Sequence, residues 1–174
     1  MTDSDAASSN PFELDDEVLA FLDRYLRLSS QLSTAGSIDQ QRRNYASLVA
    51  EMRYPRPAGI SSEDSEVSGR HGSVALRHYR YQLQRSPARL MFIHGGGFIF
   101  GNLDSHDDIC AEICAATGLN LISVDYRLAP EYHHPVHLDD VEDAFNHCYQ
   151  TDMVVIGASA GGTLAAALAH RLKD

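Results

Sequence analysis

His94-Gly95-Gly96-Gly97-Phe98 and, further along, Gly157-Ala158-Ser159-Ala160-Gly161-Gly162 are the stretches whose reading decides the fold. The second fits G-x-S-x-G, a sharp strand-to-helix turn that exposes a serine Oγ; the first fits a glycine-rich loop supplying an oxyanion hole. The surroundings suit this reading. Met153 to Ile156 is a β-type run, and Thr163 to Leu172 is rich in alanine and leucine, with strong helix propensity. A serine hydroxyl needs a positioned base, and a tetrahedral intermediate needs donors aimed at its oxygen. Small residues at Gly157 and Gly161 let strand and helix close around Ser159, and the Ala160 amide faces the oxyanion from a helix N-terminus with a favourable dipole. Without side chains, the backbone after His94 lets the amides of Gly96 and Gly97 approach the same oxygen. Two plainer readings stand beside this one: a flexible loop at Gly95 to Gly97, and an ordinary helix N-cap at Ser159.

Working outward, Arg89 to His94, Asn120 to Asp125 and Met153 to Gly157 are short apolar runs suited to strands buried on both faces of a parallel sheet. Helices are expected between and after them, at Ser105 to Thr117, His137 to Tyr149 and Gly161 to Lys173. Ser65 to Ser68 and Ser73 to Tyr81 flank Gly69-Arg70-His71-Gly72 as an antiparallel hairpin at the sheet edge. Asp15 to Leu28 and Ile38 to Met52 read as helices, ended by Pro55, Pro57 and Gly59. Strands alternating with helices give an α/β class with a doubly wound, mostly parallel sheet. Residues 1–10 are expected to be disordered, 11–58 to form a helical segment, and 59–174 to form the α/β core. Ligands in such sheets bind beyond the carboxyl ends of the strands, where both glycine motifs fall.

At 174 residues the chain suits one domain, burying roughly 70% of its unfolded surface. A formal charge of -10, with 14 Lys and Arg against 24 Asp and Glu, argues against nucleic-acid binding. No apolar run is long enough to span a membrane, and Met1 to Asn10 lacks the pattern of a secretory signal, so the expected setting is cytoplasmic. Cys110, Cys114 and Cys148 match no zinc spacing and read as reduced, buried residues. His133, His134 and His137 cluster without a carboxylate or cysteine at a ligand spacing; they read as solvated loop histidines, and no metal is expected. Asp139 and Asp140 read as the first turn of a helix, where negative charge suits the dipole.

With Asp125-Tyr126-Arg127-Leu128-Ala129-Pro130-Glu131 between them, the two glycine motifs resemble the hormone-sensitive-lipase-like branch of the α/β-hydrolases, which includes bacterial carboxylesterases and acetyl esterases. The resemblance covers residues 12–174. It implies that Ser159 is the nucleophile, that Gly96, Gly97 and Ala160 donate to the oxyanion, that His94 is structural, and that residues 12–55 form part of a helical cap. It further implies a short-chain ester substrate and no cofactor. Three departures stand out. Ala158 occupies the place of the family's usual aspartate, the link from Tyr149 to Met153 is short, and the triad acid and histidine are expected outside this chain. A longer parent chain or a second chain would supply them, and the partner expected is a second copy in a homodimer or a complementing C-terminal segment. The alternative is a catalytically incomplete domain that acts as a binding module through an unpaired strand edge; slow hydrolysis of activated esters by the oxyanion hole alone is a third reading.

Overall fold

A computed structural model describes residues 14–32 and 35–173; the segment expected to be disordered, 1–10, lies outside them. The chain divides into two compact units, Met1–Asn44 and Tyr45–Asp174. In the first, α1 (Asp16–Ser29) starts where Asp15 Oδ1 accepts from the Val18 amide at 2.8 Å, with Asp16 and Glu17 in its positive first turn. Its apolar side chains, including Leu19, Phe21, Leu22 and Leu26, are exposed. The helix α2 (Ile38–Met52) crosses the boundary between the units.

The second unit is built on a five-stranded sheet. Its strands are β1 (Ile60–Gly69), β2 (Gly72–Tyr81), β3 (Arg89–Ile93), β4 (Asn120–Asp125) and β5 (Met153–Gly157), in the order β1-β2-β4-β3-β5. β2 is antiparallel to both neighbours while β3 is parallel to β4 and β5, so β2 alone runs against the other four. Three helices cover the sheet: α3 (Asp107–Thr117), preceded by a 3-10 turn at Asp104–His106, α4 (Val136–Cys148) and α5 (Ala160–Arg171). α3 ends where Gly118 adopts φ 69°, and its amide donates to the Cys114 carbonyl.

Alternation along β3 sorts the core into two faces. Met91 and Ile93 pack with Val124, Leu76, Leu138, Val141, Leu164 and Leu168 beneath α4 and α5. Leu90 and Phe92 pack with Tyr79, Leu121, Cys110 and Cys114 beneath α3. Each such buried aliphatic contributes about 1.5–3 kcal/mol, so the central strands anchor the fold.

Several expectations are corrected. β1 begins at Ile60 rather than Ser65; only its Val67 is buried, and its residues are held in register by β2. β5 is not buried on both faces, since Val154 is 51% exposed and, among the described residues, β3 is its sheet neighbour. His137 is no solvated loop residue: it is buried, and its Nδ1 donates to the Arg127 carbonyl at 2.7 Å. The short α4–β5 link turns through Asp152, a non-glycine residue at φ 69°.

Polar clamps tie the loops to this core. Asp140, fully buried, accepts from the Arg127 amide at 2.9 Å and pairs with its guanidinium, which also donates to the Ser73 carbonyl. Arg70, in the β1–β2 turn, reaches Asp143 at 2.7 Å and Glu142 at 2.9 Å on α4. Asp139 receives His71 and Arg171, so Asp139, in the first turn of α4, and Asp140, just past it, do more than meet a helix dipole.

Candidate active site

Parallel register places Ile93 beside both Val124 and Gly157, so the residues that follow, His94, Asp125 and Ala158, emerge together at the carboxyl edge of the sheet. The two glycine motifs meet there. A side chain at Gly161 would fall on the Ile93 carbonyl oxygen, and one at Gly157 on the Gly161 carbonyl, so both glycines are required by backbone packed against backbone. A Cβ at Gly95 would lie 2.9 Å from the Ala158 carbonyl oxygen and 3.4 Å from Ser159 Cβ.

Ser159 is exposed at the start of α5, with φ 50° and ψ -115°. This conformation is costly for a non-glycine residue and survives only where surrounding structure imposes it. Although Ser159 stands at the N-cap position, its side chain makes no capping hydrogen bond, which removes the plainer reading. Ala160 is buried as the first residue of the helix. Ala158 packs beside the cluster of Phe92 and Cys110, and its amide donates to the Ile93 carbonyl at 3.1 Å.

The loop from Gly95 to Phe100 is ordered by hydrogen bonds. Gly96 at φ 116°, Gly97 at φ 62° and Phe98 at φ 65° reverse the chain, and the Gly96 carbonyl accepts from the Phe100 amide at 2.8 Å and from Ile99 at 3.0 Å. The Phe98 carbonyl accepts from Ala129. Gly97 is exposed, and a Cβ there would meet nothing within 4 Å.

Beneath the loop lies His94, fully buried and stacked on Tyr126 with ring centroids 4.3 Å apart. Its Nδ1 donates to the Gly95 carbonyl at 2.8 Å, while the Tyr126 hydroxyl donates to the His94 carbonyl at 2.9 Å. Burial pushes the imidazole down to about 4, keeping it neutral. His94 thus sits buried beneath the loop, with both its ring and its carbonyl engaged. Asp125 lies alongside; burial and the negative charge of Asp104 push its carboxyl up to about 6. The sequence placed this aspartate at the end of an apolar strand and at the head of the motif that carries the resemblance, but gave it no role of its own.

Cys110, Cys114 and Cys148 are free and buried, and burial pushes the Cys110 thiol up to about 12, leaving it unreactive. Among the described residues no cluster of histidine, cysteine or carboxylates could hold a metal, and no helix is long and apolar enough to cross a membrane.

Similarity to known proteins follows the same lines. A family described as having the alpha/beta hydrolase fold matches residues 90–174. An ethyl acetate hydrolase of Pseudomonas putida is 33% identical over 172 residues, covering 85% of this chain and 53% of the relative. A hyperthermophilic esterase of the archaeon Pyrobaculum calidifontis superposes with a TM-score of 0.78 at 28% identity, over 92% of this chain and 54% of that one. An esterase from the bacterial hormone-sensitive lipase family superposes with the same TM-score at 25% identity, over 92% of this chain and 53% of its own. The chain therefore spans about half the length of these relatives. On its sheet, its paired glycine motifs and these relatives, the chain belongs to the hormone-sensitive-lipase-like α/β-hydrolases.

Proposed function

We propose that this chain carries the nucleophile and oxyanion hole of a carboxylic ester hydrolase acting on short-chain acyl esters. The observation that supports the reading most strongly is Ser159 itself, exposed, held at φ 50° and free of any capping bond, with the Gly95 loop packed against it. In this mechanism Ser159 Oγ attacks the ester carbonyl carbon and passes its proton to a histidine. The carbonyl oxygen gains the charge and accepts from the amides of Gly96, Gly97 and Ala160. Collapse expels the alcohol, which takes the proton back, and leaves an acyl-serine that water hydrolyses by the same path. Each oxyanion donor contributes roughly 3–4 kcal/mol to the transition state. His94 does not serve as the base, because its ring is fully buried and its free nitrogen, Nε2, faces Asp125 at 3.9 Å. The triad acid and histidine are assigned to polypeptide outside these residues, since the chain spans about half of its relatives. A cytoplasmic setting belongs to the same proposal, supported by three free cysteines.

A second reading, a binding module without turnover, is favoured by β5, whose Val154 is half exposed on a strand with β3 as its described neighbour. Such an edge recruits another strand, from a complementing segment or a second copy. Intact-mass spectrometry with a fluorophosphonate probe separates the two. Rapid single-site labelling that Ser159→Ala abolishes supports the hydrolase, whereas no labelling of the purified chain favours the module.

A further inference from the structure

At the end of the sheet opposite Ser159, where β3 and β4 begin, a small cleft of about 50 Å3 has His78 and Arg80 of β2, Arg89 of β3, and Asn120 and Ile122 of β4 in its walls. Its make-up follows from register. Val74 and Leu76 share a core with Met91 and Ile93, so alternation carries His78 and Arg80 along β2, and Arg89 along β3, onto that same face. His78 stands opposite Ile122 and Arg89 opposite Asn120, while Arg80, one residue past the pairing of Tyr79 with Leu121, comes level with Asn120. Arg80 and Arg89 therefore flank Asn120 from strands roughly 10 Å apart. Along β3 the cleft lies about 13 Å from Ile93, and so from the edge that carries Ser159.

Asn120 is a fixed floor: its Oδ1 accepts from the Tyr81 amide at 3.3 Å and its Nδ2 donates to Gln84 at 3.2 Å. Among the described residues no carboxylate pairs with Arg89, whereas Arg80 meets Glu63 at 3.0 Å, with both side chains exposed. Ser65 Oγ lies 2.8 Å from His78 Nε2, which leaves Nδ1 for another partner. Burial, with the positive charges of Arg80 and Arg89, holds the His78 imidazole below its ordinary value, against the opposing pull of Glu63 and Asp64 on β1. On a chain of formal charge -10, this cleft with an uncompensated guanidinium runs against the general sign.

We infer that this cleft binds a small tetrahedral oxyanion, of the phosphate or sulfate type, between the guanidinium groups of Arg80 and Arg89, with His78 as a third donor. Each guanidinium presents a planar fork that matches two oxygens of such an ion, and the ion's charge offsets the repulsion among the three side chains. The volume is several times the roughly 10–15 Å3 that one water requires, which suits an ion of a few heavy atoms. Bound anion favours the imidazolium, so occupancy and His78 protonation strengthen each other. No part of the site depends on Ser159 being a nucleophile.

The test is NMR of the full chain titrated at constant ionic strength with phosphate, sulfate and acetate, following backbone amides and the His78 ring. A tetrahedral ion is expected to bind at least tenfold more tightly than acetate, to shift the amides of His78, Arg89 and Asn120, and to raise the pKa of His78. Phosphate ahead of sulfate, or the reverse, supports the site and names the source of its ion. Arg89→Gln and Arg80→Gln should each weaken binding at least tenfold and abolish the response of His78, while Arg85→Gln, exposed and outside the cleft, leaves both unchanged. Arg80 is exposed, so its variant stays informative if the change at Arg89 disturbs the fold. Acetate binding as tightly as phosphate and sulfate, a His78 pKa that ignores the ion, or equal weakening by Arg85→Gln would overturn the inference.

Discussion

His94 Nε2 and Asp125 Oδ1 face each other 3.9 Å apart at the carboxyl ends of neighbouring parallel strands, and that nitrogen has no hydrogen-bond partner. Because Nδ1 donates to Gly95, Nε2 offers only a lone pair. An ionised Asp125 likewise offers only acceptors. A carboxylic acid in that place could donate, and burial already favours it by raising the carboxyl to about 6.

Asp125→Asn supplies a permanent donor to His94 and should raise stability above pH 6 by about 1 kcal/mol, a figure discounted for the solvent that reaches this side chain. The pH dependence has a definite sign. His94, at about 4 when folded against 6.5 unfolded, loses stability as pH falls from 6.5 towards 4. Asp125, at about 6 folded against 3.8 unfolded, gains stability over pH 6 down to 3.8. The two slopes oppose each other in wild type, so the variant should be the more acid-sensitive, with its advantage gone near pH 4. Urea denaturation at pH 4, 5, 6 and 7.5 reads this, and an advantage independent of pH would refute it.

Two neighbouring loop glycines, half-buried Gly96 and exposed Gly97, should respond unequally to alanine. At Gly97 the space is open and the cost is the left-handed backbone alone, about 1–2 kcal/mol. At Gly96 the methyl would meet the Phe100 carbonyl, and the loss should exceed about 3 kcal/mol. Thermal denaturation of the pair decides; equal losses would mean that the loop relaxes around either methyl.

Asp152, exposed at φ 69°, carries strain that glycine would not. Asp152→Gly should stabilise the chain by about 0.5–1 kcal/mol, after glycine's greater unfolded-state entropy is subtracted. A lower melting temperature would show that its side chain does something the backbone angle does not reveal.

Arg127→Ala leaves the Asp140 carboxylate buried without its cation and should cost about 3–5 kcal/mol, part of which Arg127→Ala/Asp140→Asn recovers. Arg70→Ala, at the more exposed clamp, should cost about 1 kcal/mol or less. If chemical denaturation ranks the two the other way, the hairpin turn matters more to α4 than the β4–α4 loop.

Much of the sheet was legible because its strands are apolar runs of fixed length. β4 and β5 begin and end where Asn120, Asp125, Met153 and Gly157 suggested, and Ile38–Met52 forms the expected helix. The first half of β1 was not legible. Ser61, Ser62, Glu63 and Asp64 bury little, so their strand state is imposed by pairing with β2. The two glycine motifs were visible as chemistry, but their mutual contact at Gly95 and Ser159 depends on the order β4-β3-β5. His137 and Asp140 lay hidden for a similar reason. Both bind Arg127, and no local spacing marks a partner across a loop.

The joint at Gly157 and Gly161 separates accuracy from chemistry of side chains. Main chain rests directly on main chain where α5 crosses the ends of β3 and β5, so the distance from Ser159 to the Gly95–Gly97 loop is set with no rotamer in between. Thr163 and Ala167, on the same helix, line an apolar cleft beside Gly97 and Phe98 without taking part in that seating. Side chains along α5 could therefore change while Ser159 and the glycine-rich loop stay where the backbone holds them.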